Sequence, residues 1–171
     1  MAPLIAADAS VRNPAFEVEG TDTAAWRSVG SSYLILVEYI ESRFARAGLP
    51  ELAWFDVLAA LEASEEPVRP RDLLCRVRVT KSGLTRLLDR IETEGLIRRS
   101  RCPSDRRGTF LTITEQGTKT FERMLPIREE AFRRHFGAIL TEDEAKTVAE
   151  ALSRVIESVR DELDDFDCDS L

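Results

Sequence analysis

Only three of the 171 residues are cysteine and only one is histidine. Cys75, Cys102 and Cys168 are odd in number and widely spaced, which argues against a disulfide framework or a zinc site and fits a reducing compartment. With His135 as the sole imidazole, a histidine-based metal centre is excluded, and any serine or cysteine triad would depend on that one ring. It stands between Arg134 and Phe136 and reads as a surface or packing residue. There is no phosphate-cradling glycine loop and no GxGxxG, and no carboxylate pair stands out as general acid and base. The expectation is therefore a chain that is not an enzyme and carries no cofactor or metal. Long apolar runs are missing as well: Tyr33 to Val37 is cut off by Glu38, so no membrane span is expected. The opening MAPLIAADAS has neither a basic leader nor an apolar core, so a secretory signal is not expected and a cytoplasmic location is.

Positive charge is scarce overall but concentrated. The net charge is −7, yet residues 69 to 107 hold twelve Lys or Arg against five Asp or Glu. That window is therefore strongly basic on an acidic remainder. Such an asymmetry suits a nucleic-acid reader, because only the contacting face must attract phosphate while the rest discourages binding through the wrong side.

Helical periodicity begins after a loose arm over residues 1–22. Trp26, Val29, Tyr33, Leu36, Val37, Ile40 and Phe44 recur at three- and four-residue steps, and Gly48 supplies a stop. Pro50 suits the first turn of a second, shorter helix carrying Leu52, Phe55, Leu58, Ala59 and Leu61. Pro70 opens a short helix with Leu73, Leu74 and Val77 as its buried side. Thr80 is placed as the N-cap of the next helix, 81–94, whose Leu84, Leu87, Leu88 and Ile91 form a narrow apolar stripe. Gly95 is suited to end it in the left-handed conformation, with Leu96 folding back. Two β-like runs, Leu96 to Cys102 and Thr109 to Thr114, flank the turn-rich, basic tip PSDRRG. Helical period then returns with Phe121, Met124, Leu125, Phe132 and Phe136 as the expected packing residues, and Pro126 is expected to kink or locally loosen that helix. Thr141 and Glu144 form a capping-box pattern for a last helix bearing Val148, Leu152, Val155, Ile156, Val159 and Leu163.

This order predicts a mainly α fold with a small β-hairpin wing: a winged helix-turn-helix over 50–117 and a helical lobe from 23–49 and 118–171. A helix fits the major groove of duplex DNA, where base edges are distinguishable, provided one face is apolar and the other has polar reach. Helix 81–94 meets both conditions. Ser82, Gly83, Thr85 and Arg86 occupy its N-terminal half, the end presented to bases, and Gly83 permits close approach. Arg86 is the candidate for a bidentate grip on guanine. Arg76, Arg78, Lys81 and Arg90 are candidates for phosphate contacts, which position without specifying. The wing over 102–109 would carry Arg106 or Arg107 into the adjacent minor groove, with Asp105 orienting the Arg107 guanidinium through paired hydrogen bonds. Any one of these arginines alone would suit the surface of an ordinary amphipathic helix; their coincidence carries the reading.

The stretch TKSGLTRLLDRIETEGLIRRSRCPSDRRGTFLTITEQG resembles the DNA-binding core of the MarR family of bacterial regulators, through TRLLDRIETEGLI, the DRR tip and LTITEQG. The resemblance implies a homodimer whose first and last two helices interleave into a dimerisation lobe, and an Asp105–Arg107 wing pair. It also implies a regulator, usually a repressor, bound to a pseudo-palindromic duplex DNA operator and released by a small aromatic or phenolic effector between the lobes. Trp26, Tyr33, Trp54 and Phe55 are the candidates for that cleft, although aromatics at helical spacing are more often core. Two other readings compete. A winged-helix protein-interaction module without DNA binding would carry a neutral recognition helix and an uncharged wing. A redox-responsive regulator would act through Cys102, where Arg101 favours the thiolate.

Overall fold

The computed structural model describes residues 20–74, 76–77, 81–101 and 109–160. The chain divides into two compact units, residues 1–35 and 36–171. Its elements are α1 (Thr21–Arg46), α2 (Leu52–Glu62), α3 (Pro70–Leu73), α4 (Lys81–Thr93), β1 (Ile97–Arg101), β2 (Thr109–Ile113), α5 (Glu115–Phe132) and α6 (Glu142–Arg160). A π-helical turn over Arg133–Gly137 follows α5. Mainly helical with one two-stranded antiparallel sheet, this is the fold class expected.

In the first unit, Ser28 donates to the Ala24 carbonyl at 2.9 Å and Ser32 to that of Ser28 at 2.6 Å, the back-bonding habit of helical serines. Trp26, Val29, Tyr33, Leu34 and Ile35 are exposed.

In the second unit one core joins α1 through α5 and the two strands around the short helices. Ile40 and Phe44 from α1 meet six α2 residues, Trp54 through Leu61, with Leu73, Val77, the α4 stripe, Leu111 and Met124. Phe55 is the aromatic hub, 5.4 Å from Phe121 in a stacked pair and 6.4 Å from Phe44. Both glycine stops behave as expected. Gly48 and Gly95 have φ of 64° and 71°. After each, the chain closes a Schellman pair: Leu49 donates to Phe44 at 2.9 Å and Gly48 to Ala45 at 3.1 Å, while Leu96 donates to Ile91 at 3.1 Å and Gly95 to Glu92 at 2.8 Å.

Several expectations need correction. Pro50 precedes α2 rather than opening it; the helix starts at Leu52 with Glu51 as N-cap. Leu74 is half-buried, because α3 ends at Leu73. Helix α5 runs on through Pro126, and a π turn follows seven residues later. Phe132 and Phe136 do not enter the core; they stack on each other at 5.3 Å and remain exposed. The α6 residues Val148, Val155, Ile156 and Val159 are likewise exposed in the single chain. The capping box at its start is formed: the Glu144 carboxylate accepts from the Thr141 amide and hydroxyl, both at 2.8 Å, and the Glu144 amide donates back to the hydroxyl at 3.3 Å. Those bonds from Thr141, the backbone one first, hold the Glu144 carboxyl below its usual pKa.

Candidate nucleic-acid interface

Helix α4 is sharply two-faced because its apolar residues fall at steps of three and four. Leu84, Leu87, Leu88 and Ile91 are all buried, while Ser82, Thr85, Arg86, Asp89 and Arg90 are exposed and Gly83 is half-buried. Arg76, just before it, is exposed. Arg86 has no partner among the described residues, so its guanidinium stands available on the outer face.

The wing is tied to this helix from behind. Strands β1 and β2 pair in antiparallel register from Ile97 opposite Ile113 to Arg101 opposite Thr109. Val68 adds a short third rung, exchanging both backbone bonds with Leu111 at 3.0 and 2.8 Å. Leu111 is fully buried beneath it. Behind the sheet, the Thr114 hydroxyl donates to Gly95 at 2.7 Å and accepts from the Gly117 amide at 3.0 Å, capping α5. Gly117 passes so close to the base of the hairpin that an added Cβ would run into the Leu96 carbonyl oxygen and lie 2.7 Å from the Ile113 side chain.

One feature was missed in sequence. Arg99 is counted there as part of the basic patch, but its guanidinium bonds both Asp89 and Glu92 at 2.7 Å, and its amide donates to Glu92 at 3.2 Å. The i, i+3 spacing of Asp89 and Glu92 on one helix face was the available signal; the strand that meets them was not. Arg99 therefore straps β1 to α4, and its charge is offset. Arg90 is also engaged, with Glu51 at 2.9 Å and over the Trp54 ring at 5.5 Å. The local positive excess is thus carried by fewer groups than composition indicates.

Lys81 opens α4. Arg78, Thr80, Asp105, Arg106 and Arg107 lie outside the described residues, as do Cys75, Cys102 and Cys168. Of the effector candidates, Trp54 and Phe55 are buried core residues, with the Trp54 indole nitrogen donating to Glu51 at 3.0 Å. Trp26 and Tyr33 are exposed, the first at 73%. His135 is exposed and makes an edge contact with Tyr39 at 4.5 Å. Among the described residues, no helix is long and apolar enough to cross a membrane, and no group of three or more His, Cys, Asp or Glu is arranged to hold a metal.

The model of the MarR family matches residues 47–108, a segment that contains α2, α3, α4 and β1. AbsC, a MarR family transcriptional regulator from Streptomyces coelicolor, superposes with a TM-score of 0.75 at 31% identity, over 82% of this chain and 95% of that one. The chain belongs to the MarR family. A second MarR family regulator of Streptomyces coelicolor, solved in complex with DNA, also superposes with a TM-score of 0.75, at 26% identity over 82% of this chain and 92% of its own. By sequence alone, the MarR chain is 28% identical over 111 residues to the transcriptional repressor MprA of Escherichia coli, spanning 64% of this chain and 62% of that one. An uncharacterised HTH-type regulator of Bacillus cereus is 34% identical over 103 residues, spanning 60% and 67%. All four are named as transcriptional regulators or repressors, and the winged-helix architecture is that of the family.

Proposed function

We propose that this MarR family chain is a DNA-binding transcription repressor that acts as a homodimer on a pseudo-palindromic operator and performs no catalysis. The observation that carries the proposal is α4 itself: a helix anchored by a fully apolar inner stripe, strapped to a β-wing, with Arg86 held outward beside Ser82 and Thr85. In this reading α4 enters the major groove and Arg86 grips a guanine edge, with Thr80, Ser82, Gly83 and Thr85 close to the bases. Arg76, Arg78 and Lys81 contact phosphates. Arg106 and Arg107, steered by Asp105, occupy the flanking minor groove. Half-sites then lie about one helical turn apart.

Binding to a duplex selected by the purified protein from a random pool tests this directly. With roughly 6–10 phosphate contacts, affinity falls on the order of 10³–10⁵-fold between 50 and 200 mM salt. Arg86→Ala relaxes preference at one position of each half-site, by roughly 1–3 kcal/mol against the wrong base. Arg107→Ala weakens A·T-flanked sites most. Salt-insensitive binding, or full affinity in the double variant, sinks the docking. Release by a small aromatic or phenolic effector belongs to the same proposal. Because Trp54 and Phe55 are buried, an effector engaging them must displace core side chains. Its signature is therefore a shift in melting temperature accompanied by loss of operator affinity in a screen of phenolic acids.

A further inference from the structure

Arg90 lies one helical turn beyond Arg86 on the exposed face of α4, the position of a phosphate contact, yet the protein has already supplied it with an anion. Glu51 Oε1 accepts from Arg90 Nη1 at 2.9 Å and from the Trp54 indole at 3.0 Å, and the Arg90 guanidinium lies over the Trp54 ring at 5.5 Å. Glu51 stands at the N-cap of α2 but does not cap it. Glu41 of α1 does that work, accepting from the Leu52 amide at 2.8 Å. The Glu51 carboxylate is thereby left for Trp54 and Arg90, and Trp54 is anchored by burial, so the acceptor is held in place.

We propose that Glu51 is an electrostatic brake on DNA binding: it and Trp54 hold Arg90 against the protein, in place of the phosphate contact that the helix position suggests. Glu51 is thus a positioning residue that limits affinity and keeps readout dependent on Arg86 and the wing. A preorganised intramolecular carboxylate competes at high effective concentration with a phosphate that must be brought from solution. The carboxylate also adds a like charge near the phosphates. With Arg90 and Glu51 side chains 60% and 42% exposed, the pair contributes little to folding stability, so its main consequence falls on binding.

The inference rests on the DNA-binding reading above, and the slope of affinity against salt separates the two. Glu51→Gln keeps an acceptor for Trp54 while removing the charge. Freed in both protomers, Arg90 then adds up to two phosphate contacts, and the slope steepens by up to about 1.8. That corresponds to about a twelve-fold greater loss of affinity between 50 and 200 mM salt. Arg90→Ala leaves the slope unchanged, and the Glu51→Gln, Arg90→Ala double variant loses the steepening. All are measured on the duplex selected by the unaltered protein, with melting temperature recorded for each. An unchanged slope in folded Glu51→Gln, or a flatter slope in Arg90→Ala, overturns the brake and leaves the function standing. Should Glu51→Gln fail to fold, the Arg90→Ala slope decides alone. Failure of the unaltered chain to bind duplex DNA overturns the functional reading and the brake together.

Discussion

Gly117 illustrates what a single residue controls here. Its missing side chain lets the start of α5 lie against the base of the hairpin, where any Cβ would meet the Leu96 carbonyl. Gly117→Ala is expected to force the helix off the wing at a cost of about 1–3 kcal/mol, read as a lower melting temperature with DNA affinity reduced alongside it. Its φ is not positive, so no turn rule points to it. Arg99 is the opposite case: its type is plain in sequence, yet its role reverses on folding, from a charge offered to DNA to a bond between strand and helix. Arg90 follows the same pattern. Linear sequence reports which charges are near each other along the chain, whereas pairing across 39 residues, as in Arg90 and Glu51, depends on how α2 and α4 pack.

At the scale of elements, α4 was the most legible, because its four apolar residues sit at unambiguous helical steps and its end is marked by Gly95. The hairpin strands fall within the expected β-like runs, with β1 starting one residue later, at Ile97, and β2 ending one residue earlier, at Ile113. The π turn at Arg133–Gly137 was not legible: Pro126 drew the expected irregularity to itself, but its missing amide is tolerated inside α5. At α6, the capping box makes helix formation pH-dependent. The Glu144 carboxyl is held below its usual pKa, so its contribution is present at neutral pH and above its unfolded value, and is lost as pH falls through the lowered one. Circular dichroism should show an acid-linked loss of helix in the intact chain, and Thr141→Ala, which keeps the backbone bond but loses the hydroxyl, should reduce that pH-linked component while lowering helicity at neutral pH. An identical acid profile in the two proteins would count against the box.

For the whole molecule, the exposed apolar residues carry the weight. Val155, Ile156 and Val159 are about half exposed on α6. Such a stripe rarely stays in water on a soluble chain, and the proposed homodimer would cover it. Replacing Val155 and Ile156 together with Asp is expected to yield monomers in sedimentation and to cut operator affinity by at least ten-fold, since one half-site is then bound at a time. A variant that still sediments as a dimer would move the interface elsewhere. By itself, the sequence determined the fold class, the two-faced helix α4, the glycine stops and the basic character of the central segment. Each of these is written in local spacing or composition, where side chains three and four apart share a face whatever lies beyond them. Only the tertiary structure decided which arginines remain available, which aromatics are core and which apolar stripe is left bare. Those outcomes depend on residues distant in the chain meeting across packed elements, and a carboxylate 39 residues away can cancel a charge that composition had counted.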